Sequence, residues 1–444
     1  MGRLGARIVV AGTASGVGKT TVATGLMAAL RAKGLTVASA KVGPDYIDPG
    51  YHALATGRPP RNLDAWMCGP QAMAPLAARA AEAADILVIE GVMGLFDGAS
   101  DDGSASTAHV ARLLDAPVLL VVDASSMSGS VAALVHGFAT YDPCVRVAGV
   151  ILNRVGSNGH ETLLREALAP AGVPVVGVLR RDDTFTWRDR HLGLVPVVEQ
   201  RGAVRASVDQ LAAAVAAGCP LDTVMALANA APPGAVPPAP RARPCGRARI
   251  AVAAGKAFSF VYPDNLEAFE AAGAEIVAFD PLEDPCLPPG CQALYAGGGF
   301  PEEFAPALAA NTPLLDDVRR RVTDGLVTWA ECGGLLWLGR SLDAHAMVGA
   351  LAGDARMTPT LALGYRRAVV QVGNPVAAAG STLRGHEFHY STVEPAGDAL
   401  ALSGRFGSGP GGFASPSLLA TYLHLHLGGD PRPAERFVAT ASTG

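Results

Sequence analysis

Short apolar runs recur along the first half of the chain, at residues 8–11, 36–41, 85–90, 117–123, 147–153 and 174–179. They show little polar alternation, which is the pattern of strands covered on both faces of a parallel sheet. Stretches of helical spacing lie between them: 22–30, 72–84, a helix from about Thr107, 159–168, and an Ala-rich run at 202–228. The alternation predicts an α/β domain with helices on both sides of its sheet. Residues 228–248 then read ANAAPPGAVPPAPRARPCGRA, where aperiodic proline predicts a linker. The expected division is a first domain at 1–230, a linker at 231–247 and a second domain at 248–440. The second domain repeats the pattern, with predicted strands at 249–254, 275–279, 293–295 and 326–330 and a helix from Leu335.

The chain has 444 residues, too many for one core, with 50% hydrophobic and 17% charged positions and a net charge of −5. Without a basic stripe, nothing points to a nucleic-acid partner. The seven cysteines show no paired spacing, which predicts a reducing compartment. The first residues run straight into a strand, so no signal peptide is predicted, and no apolar run is long enough to cross a bilayer. These features predict a soluble cytoplasmic protein with no membrane partner. The oligomeric state, including a homo-oligomer, is left open.

The chemistry of the first domain centres on RIVVAGTASGVGKTT, residues 7–21. A buried strand, a loop with Gly12, Gly16 and Gly18, and Lys19-Thr20-Thr21 opening a helix make a phosphate cradle. Backbone N–H groups converge on phosphate oxygens, Lys19 adds a point charge, and the Thr20 hydroxyl can complete a Mg2+ shell. The usual spacing puts the first glycine at position 13, but here that residue is Thr13 and the glycine is Gly12. Glu90 ends a predicted strand and is the first candidate for a Mg2+ carboxylate. Asp45, in KVGPDYIDPG, and Asp97, in GVMGLFDG, lie in loops at the same predicted sheet edge. Lys41, at the end of the second strand, is a candidate second phosphate lysine. The charged segment 180–196 reads either as a solvated loop or as a substrate wall.

In the second domain, Cys332 lies in WAECGGLLWL, between a strand and a helix start. A nucleophile on such a turn is exposed at the sheet edge, and the following Gly333 permits the tight backbone. The helix N-terminus favours a thiolate. The AGGGF loop, with Gly297, Gly298 and Gly299, can supply oxyanion N–H donors. His424 or His426 can take the thiol proton. A zinc site built from His386, His389, His424, His426 and Cys332 is the competing reading, although no CxxC pair supports it.

Together, GTASGVGKTT, KVGPDYIDP, VIEGVMGLFDG, YAGGGFPEEF, WAECGGLLWL, RGHEFHYS and YLHLH resemble the corrinoid a,c-diamide synthases, glutamine-dependent amidotransferases of cobalamin biosynthesis. The resemblance covers essentially the whole chain. It implies an N-terminal P-loop domain of dethiobiotin synthetase type, whose loop shares the displaced glycine, followed by a class I glutamine amidotransferase-like domain. It implies a ligase that takes ATP, Mg2+, L-glutamine and a corrinoid. Glutamine would be hydrolysed at Cys332 with His424 as base. Asp45, Tyr46, Glu90 and Asp97 would belong to the magnesium, phosphate and corrinoid region, and Asn153-Arg154 to the nucleoside region. Among family members, the sequence is more similar to those that act on metal-free hydrogenobyrinate than on cobyrinate. One departure stands out. The class I triad acid, two positions after the base, is replaced by His426, leaving Glu387 as the alternative. A non-enzymatic reading, a nucleotide switch fused to an inactive glutaminase-like module, is opposed by the retained Cys332.

Overall fold

The computed structural model describes all residues except 1, 100–102, 182–188, 191–192, 195–196, 200, 406 and 444. Most of the charged segment 180–196 therefore lies outside the described residues. The chain divides into two compact units, Met1–Ala239 and Pro240–Gly444.

In the first unit the strands are β1 (Gly2–Leu4), β2 (Arg7–Gly12), β3 (Val37–Val42), β4 (Arg61–Leu63), β5 (Ile86–Glu90), β6 (Val118–Asp123), β7 (Val147–Val155) and β8 (Val175–Arg180). Seven of them form a parallel sheet in the order β4-β3-β5-β2-β6-β7-β8. Every residue of β2, β3 and β5 is buried, as the unalternated runs require. Helix α1 (Lys19–Ala32) follows β2 and buries Val22, Leu26, Met27 and Leu30 against the sheet. Helix α2 (Asp48–Thr56) follows the loop after β3. Register fixes which side chains meet at the C-terminal edge: Lys41 of β3 lies opposite Glu90 of β5, and Glu90 opposite Val10 of β2.

The proline-rich segment is not wholly a linker. Gly234–Val236 forms a short antiparallel strand against β1, with Gly2 opposite Val236. The prolines at 232, 233, 237 and 238 flank these positions, so none of the three paired residues lacks an N–H. Residues just beyond the boundary are tied into the second unit. Arg243 N donates to Glu435, and Cys245 N to Ala272 O.

The second unit has a six-stranded sheet in the order Ala274–Phe279, Ala248–Ala253, Ala293–Ala296, Val327–Glu331, Leu418–Thr421, Phe413–Ser415. All but the last strand are parallel. Edge-to-face contacts join Phe269, Tyr295 and Trp329 in its core, with Phe437 packed on them. A second sheet contains the long antiparallel pair Asp354–Val370 and Thr382–Glu394. The short strand His424–Leu425 joins it with His386 opposite His424. No single described helix is long and apolar enough to cross a membrane.

Candidate functional site

The loop after β2 turns through two left-handed glycines, Gly16 (φ 79°) and Gly18 (φ 94°), and α1 starts at Lys19. Gly12 is glycine for a steric reason. A Cβ there would lie 2.6 Å from Val17 Cγ2 and 2.9 Å from Lys19 Cγ and Cδ, so the lysine stem uses the space. Lys19 Nζ donates to Ala14 O at 3.0 Å, across the loop. Burial, and then the charge of Lys41, lower its pKa to about 8.

Beside the loop stands a buried cluster. Thr20 Oγ1 is 2.7 Å from Glu90 Oε1 and 3.2 Å from Asp48 Oδ2. Lys41 Nζ donates to Asp48 Oδ2 (2.6 Å), Glu90 Oε1 (2.8 Å) and Gly91 O (3.2 Å), and lies 3.9 Å from Asp45 Oδ2. His52 Nε2 is 2.5 Å from the other Glu90 oxygen. Burial would discharge Lys41, but Asp48, Glu90 and Asp45 outweigh it and hold the ammonium charged well above its usual range. Burial would likewise raise Glu90, yet Lys41 and His52 hold its carboxyl well below the ordinary value. Asp48 goes the other way, raised by burial and by the negative charges of Asp45 and Glu90.

The other predicted residues divide. Asp45 turns Oδ1 to the backbone N–H groups of Ile47 and Asp48, at the start of α2, so Asp48 rather than Asp45 meets Thr20. Tyr46 follows in the same loop, and Thr21 is the third residue of α1. Asp97 Oδ2 accepts from Gly94 N at 2.8 Å and holds the turn after β5. Asn153 Nδ2 donates to Val17 O at 2.9 Å, which braces the phosphate loop, and Arg154 pairs with Asp123. A cavity of about 600 Å3 opens alongside, lined by Gly18, Thr21, Asn153, Arg154, Arg180 and Leu211 among others.

In the second unit Cys332 sits on the turn between Val327–Glu331 and the helix Gly333–Leu338, at φ 48°. A non-glycine residue there is strained, as expected where a side chain is aimed into a site. Burial, followed by the charge of Glu302, pushes the thiol up, and the Gly333 N–H opposes the shift. Of the loop glycines, Gly297 O accepts from Gly334 N, and Gly298 donates to Phe260 O. Gly299 N lies beside Gly333, where an added Cβ would come within 3.0 Å of it. The His424 ring stacks on His386, with centroids 4.9 Å apart, and its Nδ1 is 3.5 Å from Glu331 Oε2.

The remaining histidines make other contacts. His426 faces Asp264 and the Tyr262 ring, and His389 stacks on Tyr422. Among the described residues no group of three such side chains is arranged to hold a metal ion. Glu387, the alternative triad acid, is paired with Arg366 at 2.7 Å. That pair borders a cavity of about 430 Å3 with His389, Ser391, Thr421 and Tyr422.

Residues 8–195 match the CobQ/CobB/MinD/ParA nucleotide binding domain and residues 249–432 the CobB/CobQ-like glutamine amidotransferase domain. The hydrogenobyrinate a,c-diamide synthase of Streptomyces coelicolor is 49% identical, with 98% of each chain covered. The enzyme of the same name from Thermobifida fusca is 50% identical over 98% of this chain and 97% of its own. The cobyrinate a,c-diamide synthase of Dehalococcoides mccartyi is 42% identical over 97% of each. The chain belongs to the corrinoid a,c-diamide synthase family. It is a glutamine-hydrolysing carbon–nitrogen ligase that uses ATP and Mg2+.

The first unit fits that metal. Mg2+ needs few protein ligands and keeps waters and phosphate oxygens, and Thr20 and Glu90 offer a hydroxyl and a carboxylate at one point. Two members of the cluster escaped the sequence reading. Asp48 precedes Pro49-Gly50, a setting that marks a turn and not a site. His52 gave no local signal except its place one helical turn after Asp48, on the same face of α2.

Proposed function

We propose that this synthase amidates the a and c carboxylates of hydrogenobyrinate. Lys19 binds the transferred phosphate, Thr20 and Glu90 hold the magnesium, and Asn153 and Arg154 border the nucleoside cavity. Bound Mg2+ neutralises charge on the phosphates. The substrate carboxylate oxygen attacks the γ-phosphorus and ADP leaves. Lys41, whose ammonium is shared among Asp48, Glu90 and Gly91 O, balances the carboxylates beside the loop. Ammonia then adds to the carbonyl carbon and inorganic phosphate departs, leaving the amide. Asp45, Tyr46 and Asp97 belong to the loops that border this site, Asp45 by setting Asp48 in place rather than as a metal ligand.

Ammonia comes from glutamine. Cys332 attacks the amide carbon, His424 takes the thiol proton and passes it to the leaving nitrogen, and water hydrolyses the thioester to glutamate. Gly299 and Gly333 N–H groups receive the oxyanion, since Gly298 spends its own on Phe260. The partly buried Arg366–Glu387 pair suits the carboxylate and ammonium of an amino-acid head group in the adjoining cavity. The reading also places the enzyme in the cytoplasm, where its free thiols stay reduced.

Hydrogenobyrinate rests on one observation: three relatives of that name are 47–50% identical, against 40–44% for three cobyrinate enzymes. The amidated groups are peripheral, so the alternative is the cobalt-containing substrate. Steady-state kinetics on both corrinoids test the choice, and equal kcat/KM values overturn it. Glu90→Gln separates the two chemistries. Synthesis falls at least about 100-fold while glutamine hydrolysis persists. Equal loss of both would mean that Glu90 supports the fold instead.

A further inference from the structure

Two residues after His424 this chain has His426 and not an acid, yet a buried carboxylate, that of Glu331, lies 3.5 Å from His424 Nδ1. We infer that Glu331, the residue immediately before the nucleophile, is the positioning residue that orients His424. The backbone carries the arrangement. Glu331 ends its strand opposite Thr421, and Cys332 N donates to Thr421 O at 2.8 Å. The chain after Thr421 therefore brings His424 back over the end of the same strand. The Glu331 side chain is 1% exposed and committed at both oxygens. Oε1 accepts from Leu425 N (3.2 Å), while Oε2 accepts from Tyr295 OH (3.2 Å) and lies 3.5 Å from His424 Nδ1.

Two further neighbours confine the ring. His386 stacks on one face, and Gly298 approaches so closely that an added Cβ would lie 2.6 Å from His424 Cε1. His386 and His389 lie close enough to feel the charge of His424. Burial, then the charges of His424 and His426, hold His386 well below its usual value, and burial brings His389 to about 4. Neither supplies charge near neutral pH. With Nδ1 turned to Glu331, Nε2 is the nitrogen that serves the thiol. Glu331 steadies the imidazolium formed when the Cys332 proton moves, and Tyr295 and Leu425 fix Glu331. The role of a triad acid is thus taken from the nucleophile's own strand instead of from the histidine's.

The inference rests on Cys332 and His424 being the glutaminase pair, so Cys332→Ser and His424→Ala are run beside it. If either keeps normal glutamine hydrolysis, that underlying reading fails. If both are inactive, Glu331→Gln and Glu331→Asp decide the inference alone. Gln keeps an acceptor for Leu425 N, removes the charge and replaces the oxygen that faces Tyr295 and His424 by an NH2 donor. Its glutaminase kcat falls at least about 100-fold, KM stays within about threefold, and ammonium-driven synthesis is unchanged. Asp, which keeps the charge, retains about tenfold more activity than Gln. Alkylation of Cys332 by iodoacetamide, read on its own peptide by mass spectrometry, slows about tenfold at neutral pH in Gln because less thiolate forms. Three results overturn the inference: Gln within about threefold of wild type, Gln more active than Asp, or faster Cys332 alkylation, which signals a loosened fold.

Discussion

Lys41 Nζ lies 2.8 Å from Glu90 Oε1, and the two residues are register partners on adjacent parallel strands. One ammonium thereby balances Glu90 and Asp48 at the point where Thr20 also arrives. Removing it leaves the buried Glu90 with His52 alone and takes the ammonium away from Asp48. Lys41→Met is expected to cost about 3–5 kcal/mol in urea unfolding at neutral pH. Glu90 has a depressed folded pKa, so its share of stability is present above the unfolded carboxylate value, about 4.3, and is lost as pH falls below it. The gap between wild type and variant should therefore narrow in acid. A gap that stays constant from pH 7 to 3 would rule out this electrostatic account.

Lys19 predicts proton uptake on nucleotide binding. Its pKa in the free protein is lowered from 10.5 to about 8, first by burial and then by Lys41. Between those values the unfolded chain binds more protons than the native one, so the free protein gains stability as pH rises through that window. Phosphate oxygens at the loop favour the charged form again. ATP binding at pH 8.5, a value inside that window, should take up a fraction of a proton. Calorimetry in two buffers of different ionisation enthalpy reads it. Lys19→Met should abolish the uptake, and its persistence would assign the proton to another group.

His52 should tune the metal requirement. Its Nε2 holds one Glu90 oxygen, which leaves the other for Thr20 and Lys41. Groups that orient a metal ligand are typically worth about 10–100-fold in affinity. In ammonium-driven synthesis, His52→Asn is expected to raise the half-saturating Mg2+ concentration by about that factor and to leave glutamine hydrolysis intact. Unchanged Mg2+ dependence would make His52 a packing residue.

The parts of the two sites that proved legible in sequence are those written in consecutive residues. The phosphate loop from Gly12 to Thr21 and the Cys332 turn each combine a strand, small residues and a helix start within about a dozen positions, the scale on which such motifs are defined. Glu90, Lys41 and His424 were legible as candidates, but which residues meet was not, because strand register decides it. Lys41 and Glu90 are far apart in sequence and meet only because β3 pairs with β5. Glu331 reads as the end of an apolar strand until the return of the chain from Thr421 brings His424 to it. Asp97, plausible as a metal carboxylate by position, holds the Gly94 turn. His424 and His426, spaced to share a strand face, separate because the strand ends at Leu425. The triplet Gly234–Val236 joins a sheet because its prolines fall outside the paired positions.

Gly298 offers a steric test of the glutaminase geometry that changes no charge. A Cβ there would stand 2.6 Å from His424 Cε1, 3.3 Å from Nε2 and 3.3 Å from Phe260 Cβ. The ring cannot move freely, because His386 is stacked on one face and Glu331 is at its Nδ1. Gly298→Ala therefore has to displace the base or distort the AGGGF loop. An ångström-scale misplacement of a catalytic group costs about 100-fold in rate, so glutamine hydrolysis should fall by about that factor. Overpacking of this kind also lowers stability by about 1–3 kcal/mol. Synthesis supplied with ammonium should continue at the wild-type rate, because the phosphate site belongs to the other unit. Parallel assays with glutamine and with ammonium measure both arms. Full glutaminase activity in Gly298→Ala would mean that the ring of His424 has room the structure does not show.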